Sequence, residues 1–433
     1  MPQIPQALAF MAAIEPVFTQ PAFATCLRLV AGWVLCPARR TLTGIYPFAD
    51  PQRQRDVQVY HYFFRAASWA QGHLFRQWAR YQVGRLCANQ KTILLALDDT
   101  VHRKTGPRVN GARTCRDAVR STSTKSIFCW ALQYLPLCLV YPPPWGGEPL
   151  ALPLTVRLNR KKPGGATLLD HAVAMLREVA EWLPDHDFRL VADGAFAALA
   201  GRLPPRVTLV SRLRADAALF ELPPPRKPGT RGRPRLKGDR LPVPKKWAAA
   251  IPDDGWNLVT TWERGSPRER LVYAQRVIWV RVSKRPVLLV LSRDPEGREA
   301  DDFFFSTDEA DDPAAVVGQY ADRWSVEDTF RNVKQYLGAE QPQSWKGIGP
   351  ERVGAFSYFL YGVVWLARIG REGQPTAALP REWYDHKSCV SFLDALADLR
   401  QCLWNERINA TSATKAEQVK IQELLIQALS WAA

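Results

Sequence analysis

The stretch Tyr320–Lys334, YADRWSVEDTFRNVK, decides how this chain is read. It sets Tyr320, Arg323, Glu327 and Lys334 in the spacing Y-x2-R-x3-E-x6-K. At helical periodicity, positions 320, 323, 327, 331 and 334 lie along one face. That face presents a phenol, the guanidinium groups of Arg323 and Arg331, one amine and one carboxylate. A face built for salt bridging alternates its signs. One acid among bases suits an acid that holds a divalent cation and bases that hold phosphate oxygens. The bland alternative is a solvated helix with a Glu327–Arg331 pair, worth only about 0.3–0.5 kcal/mol. The first reading puts phosphodiester chemistry on this helix, and it requires further carboxylates elsewhere.

The four positions resemble the signature of bacterial insertion-sequence transposases of the DDE class, of the insertion-sequence family four type. The resemblance implies an α/β fold: an RNase H-like core, a mixed sheet flanked by helices, with two aspartates upstream of Glu327. It implies Mg²⁺ as cofactor, replaceable by Mn²⁺, with two ions in each active site. It also implies that Tyr320, Arg323 and Lys334 bind the strand being cut, with Arg331 added on the same face. It further implies double-stranded DNA as the partner, both transposon ends and target, handled by a homodimer on DNA.

Two places can supply the aspartates. Thr92–Leu97, TILLAL, is a short apolar run ending in Asp98-Asp99-Thr100. Phe188–Ala192, FRLVA, delivers Asp193 in VADGAF. Both read as buried strands with carboxylates at their ends. Adjacent strand residues point to opposite faces, so only one of Asp98 and Asp99 faces the site. The aspartate directly before Thr matches the family's first block, which selects Asp99. Asp99, Asp193 and Glu327 are therefore expected to converge at metal-bridging distance, two metals lying roughly 3.5–4 Å apart in such sites. Each alone reads more simply as a cap, a turn residue or half of a surface pair. Order, spacing and signature together carry the assignment.

The rest of the chain divides around this core. Residues 1–90 read as a helical region, with aromatics and arginines interleaved from Val57 to Leu86. Amphipathic packing accounts for most of those aromatics, and the resemblance adds DNA binding, with Arg39 and Arg40 as phosphate candidates. Residues 91–211 form the first part of the core, with strands at 127–141, 149–158 and 207–210 and a helix at 167–183. Residues 212–311 form a β-rich insertion with strands near 256–262, 271–282 and 286–291. Residues 312–370 complete the core, with one helix running from Asp312-Pro313 to about Leu337. Residues 371–433 read as a helical C-terminal region, its last helix spanning 414–432.

Further bases are candidates for DNA. Arg103 and Lys104 follow the first aspartates, where a surface turn is equally good. In the proline-rich loop at 223–246, Arg231, Arg233 and Arg235 sit in TRGRPR, similar to a minor-groove AT-hook core. That loop reads as exposed and without helix. Trp262 and Trp279 lie in the insertion, where some relatives stack a flipped base; core packing is the simpler role.

Composition agrees. The net charge of +16 over 433 residues points to a polyanionic partner. The eight cysteines form no C-x-x-C pair or zinc spacing, and no leader is evident, so a reduced cytoplasmic, nucleoid-associated protein is expected. The apolar run 353–369 is short for a bilayer and reads as a buried helix, so no membrane partner is expected. A nuclease on the same fold and a noncatalytic DNA-binding relative are the rival readings.

Overall fold

The computed structural model describes residues 4–122, 124–160, 165–225, 233–371, 387, 389–411, 419 and 421. A 3₁₀ segment (Gln6–Val17) opens the chain, followed by four α-helices: α1 (Gln20–Leu35), α2 (Leu42–Ala49), α3 (Val57–Arg65) and α4 (Gln71–Leu86). Their aromatics are core: Phe23, Trp33, Tyr60, Phe63, Phe64, Phe75 and Trp78 are all buried. Arg40 is buried as well, its backbone N–H bonded to Gln341, so its guanidinium is not the surface phosphate contact expected of it.

Five strands then follow: β1 (Thr92–Leu97), β2 (Thr100–Arg103), β3 (Arg113–Arg116), β4 (Phe128–Tyr141) and β5 (Leu150–Leu158). Helix α5 (Leu168–Trp182) begins at Thr167, whose hydroxyl accepts from the Asp170 N–H while Asp170 accepts from the Thr167 N–H. This reciprocal capping satisfies donors the first turn leaves free. Strands β6 (Asp187–Ala192) and β7 (Val207–Arg212) complete the core sheet.

Pairing sets the order β5–β4–β1–β6–β7. β5 and β1 each run antiparallel to β4, and β1, β6 and β7 run parallel. This is the RNase H-like order, in a mixed α/β sheet flanked by helices. The long β4 also pairs its first half with β2 on one side and β3 on the other. Neither four-residue strand was expected, because their charged residues read as loop.

The β-rich segment adds α6 (Pro244–Ala250), β8 (Asn257–Glu263), β9 (Ser266–Ile278), β10 (Pro286–Arg293) and β11 (Asp302–Ser306). β11 pairs with β7 and β10, so one eleven-stranded sheet runs unbroken from core to insertion. Helix α6, with Pro244 at its start, occupies the end of the segment read as helix-free.

The signature segment forms two helices, α7 (Pro313–Asp322) and α8 (Ser325–Gln335), where one was expected. Arg323 and Trp324 keep helical dihedrals, but the hydrogen bonds shorten to i→i+3: Arg323 N–H to Tyr320 O, Trp324 to Ala321, Val326 to Arg323 and Glu327 to Trp324. The Ser325 hydroxyl donates to the Asp322 carbonyl, satisfying one acceptor the break frees.

Helix α9 (Gly349–Ile369) is buried along almost its whole length, and α10 (Phe392–Thr411) packs on it. Among the described residues no helix is long and apolar enough to cross a membrane. Of the expected helix at 414–432, only Val419 and Ile421 are among the described residues, and both are helical. α9 meets the sheet closely at Gly354, where a Cβ would stand 2.0 Å from the Tyr134 hydroxyl oxygen. That hydroxyl donates to the Pro350 carbonyl at 2.8 Å, so the ring has no room to retreat. Gly354→Ala is expected to cost about 1–3 kcal/mol of stability. Denaturant titration against wild type measures this; an unchanged midpoint would mean the helix and sheet are less closely apposed.

Candidate active site

β1 and β6 run parallel with Leu97 beside Ala192, so the residues that follow, Asp98 and Asp193, come out side by side on one face. The antiparallel register with β4 places Leu97 opposite Leu137 and Thr100 opposite Tyr134. Asp98 therefore shares the face of Tyr134, and Asp99 the opposite one. Side-chain contacts agree. Arg323 Nη1 donates to Asp98 Oδ2 at 2.9 Å and Nη2 to Glu327 Oε1 at 3.2 Å. The Tyr320 hydroxyl reaches Asp193 Oδ1 at 3.5 Å. Asp99 Oδ2 instead accepts from the Gln133 Nε2 amide on β4, with Arg113 of β3 near it. The carboxylate linked to Glu327 is thus that of Asp98, where Asp99 was expected.

The acids crowd one another. Burial, less the pull of Arg323, pushes Asp98 up to about 7, and Asp99 and Asp193 push the same way. Burial is also the largest influence raising Glu327, opposed by Arg323 and assisted by Asp328 and Asp193. For Arg323 burial works to lower the pKa, but Tyr320, Asp98, Glu327 and Asp193 together raise it. One guanidinium bridges Asp98, at a strand end, and Glu327, in the first turn of a helix.

Three carboxylates are the hard oxygen donors that Mg²⁺ prefers, so the donor chemistry fits a divalent cation. In this structure Arg323 stands between Asp98 and Glu327. Among the described residues, no three His, Cys, Asp or Glu side chains close to metal-holding distance. Of the expected three, Glu327 is joined through Arg323 to Asp98, and Asp99 is held by Gln133.

The remaining candidates scatter. Lys334 Nζ donates to Thr100 Oγ1 at 2.6 Å, next to the aspartates, and burial lowers its pKa. Arg331 turns to solvent and pairs with Asp328 at 2.8 Å, so the Glu327–Arg331 pairing does not form. Arg103 pairs with buried Asp117 at 2.8 Å. Lys104 gives its ammonium to the Glu340 and Pro342 carbonyls, and burial brings its pKa down to about 8. Both are engaged inside the fold. Arg233 and Arg235 are exposed, and Arg231 lies outside the described residues. Trp279 packs edge-on against Phe305, whereas Trp262 is 63% exposed. Gln133 and Arg113 escaped sequence reading; alternation along β4 is the signal that places Gln133 beside Asp99, and Arg113, on β3, donates to Gln133 Oε1.

A search of curated proteins finds no match. Among solved structures, the chain is similar to a cryo-EM structure of the piggyBac transposase synaptic complex with hairpin DNA. The TM-score is 0.41 at 9% identity, over 96% of this chain and 80% of that one. The family model described as DDE superfamily endonuclease matches residues 14–270, which include Asp98, Asp99 and Asp193 and stop short of Glu327. That match spans more than half of the 433 residues, and the chain belongs to the DDE superfamily endonucleases.

Proposed function

We propose that this endonuclease is a DNA transposase of the insertion-sequence type, which binds terminal inverted repeats and catalyses DNA cleavage and strand transfer. The observation that carries the reading is the Asp98–Arg323–Glu327 bridge beside Asp193, built from the Y-R-E-K segment. Asp98, Asp193 and Glu327 would hold the divalent metal, with Asp98 taken in place of Asp99 on the strength of register and pairing. When bound, two Mg²⁺ or Mn²⁺ ions supply an activated water or 3′-hydroxyl and neutralise charge at the leaving oxygen. Tyr320 orients Asp193, Arg323 positions two of the carboxylates, and Lys334 sets a positive charge beside Thr100 for a phosphate of the cut strand. The protein works as a homodimer on double-stranded DNA at the nucleoid, on element ends and then target. Arg331, Arg233, Arg235 and, beyond the described residues, Arg231 extend the phosphate contacts.

The test uses the DNA flanking the gene, which should carry inverted repeats bounded by short direct duplications. Purified protein with Mg²⁺ should cut a duplex bearing those ends and join the freed 3′ ends to a second duplex. Cleavage without joining would reduce the protein to a nuclease on the same fold. No cleavage at the ends would overturn the reading. Lys334→Ala should weaken end binding and flatten its salt dependence by about 0.9 in log–log slope, one phosphate contact. An unchanged slope would remove Lys334 from the DNA.

A further inference from the structure

On β4, Phe128, Trp130, Leu132 and Tyr134 alternate onto one face, the face that also carries Asp98. Leu132 and Tyr134 are buried, and Tyr134 bonds Pro350 at the start of α9. Phe128 and Trp130 run out past that cover and are 62% and 36% exposed. On the neighbouring β3, Arg116 stands beside Phe128 and Thr114 beside Trp130, both on this face and both exposed. The Trp130 indole donates to the Gly106 carbonyl, and the Asn110 N–H to the Trp345 carbonyl, so the loop 104–112 joins Trp130 to the segment holding Trp345. Trp345 is itself 45% exposed, with the Lys346 ammonium 4.5 Å above its ring.

Soluble proteins rarely leave several large rings together in water without a use for them. The setting says what they meet. From Thr105 to Trp130 the chain carries Arg108, Arg113, Arg116, Arg120 and Lys125 against a single acid, Asp117, which is buried and paired. Exposed rings among exposed bases suit a strand whose bases are unpaired, since rings stack on bases and cations take the phosphates. A duplex offers no such free base faces. Trp130 lies four residues along β4 from the Thr100–Tyr134 row beside Asp98, about 13 Å.

The geometry points to a binding track for single-stranded DNA on the β3–β4 ribbon: Phe128, Trp130 and Trp345 stack unpaired bases, and Arg116, Lys125 and Lys346 hold the backbone. The track receives a strand that leaves the catalytic carboxylates unpaired. It rests on the DNA-cleaving reading above.

Binding of full-length protein to two fluorescent probes tests it: a blunt duplex, and the same duplex with a ten-nucleotide single-stranded tail. Wild type should bind the tailed probe more tightly. Phe128→Ala with Trp130→Ala should lower affinity for the tailed probe about 30-fold or more, since each stacked base is worth about 1–3 kcal/mol, and leave blunt-duplex affinity within about twofold. Trp130→Phe, which keeps a ring, should retain most of the binding. Thermal melting checks that each variant is folded. Equal loss on both probes, or no loss on either, overturns the track while wild-type duplex binding leaves the enzymatic reading standing. Dissociation of a dimer by the double substitution, with DNA affinity unchanged, also overturns it and makes the ribbon an interface between copies. If wild type binds neither probe, the DNA-cleaving reading falls and the track with it.

Discussion

Glu327→Gln should reduce metal-dependent cleavage of end DNA by on the order of a thousandfold or more, with the protein fully folded. Gln keeps the shape, and its amide oxygen still accepts from Arg323. It removes the charge that a divalent cation needs at the first turn of α8. The side chain is 36% exposed, so an amide there is readily hydrated and stability should change little. DNA affinity should stay the same or rise slightly, because a negative charge leaves a phosphate-facing surface. Cleavage of a labelled duplex in Mg²⁺, with anisotropy for binding, separates the two effects. Near-normal cleavage would take Glu327 out of the chemistry; lost binding would make it a DNA contact.

Asp98→Asn and Asp99→Asn should part company. Asp98 continues the strand register beside Asp193 and shares Arg323 with Glu327. Its loss should abolish cleavage to the same degree as Glu327→Gln. Asp99 is held by Gln133 on the other face, and its amide can keep an oxygen toward that donor. Asp99→Asn should cost less than about tenfold, an effect of positioning. The opposite ranking would return the role to Asp99 and show that the ion pair with Arg323 is not the arrangement in which catalysis occurs.

Much of the core was legible because apolar runs of strand length ended in acids. TILLAL became β1 with the boundaries its composition implies, FRLVA became β6 with Asp187 added at its start, and the Asp312-Pro313 start of α7 followed from capping chemistry. Legibility failed where partners came from far along the chain. The bases at 103 and 104 look like a DNA-facing turn, yet Asp117 and the carbonyls at 340 and 342 claim them. Strands β2 and β3 exist because β4 is long enough to pair on both sides, which four-residue charged segments cannot announce. The break at Arg323–Trp324 leaves helical dihedrals in place and changes only the hydrogen-bond step, so no breaker residue marks it. The choice between Asp98 and Asp99 depends on register, which alternation poses and pairing answers.

Catalysis by this site requires Asp98, Asp193 and Glu327 to share a divalent cation. A crystal structure of the protein with end DNA and Mn²⁺, read by anomalous scattering, measures this directly. Manganese peaks ligated by all three carboxylates beside the scissile phosphate are expected. Manganese bound at Asp99 without Asp98, or bound away from Glu327, would contradict this.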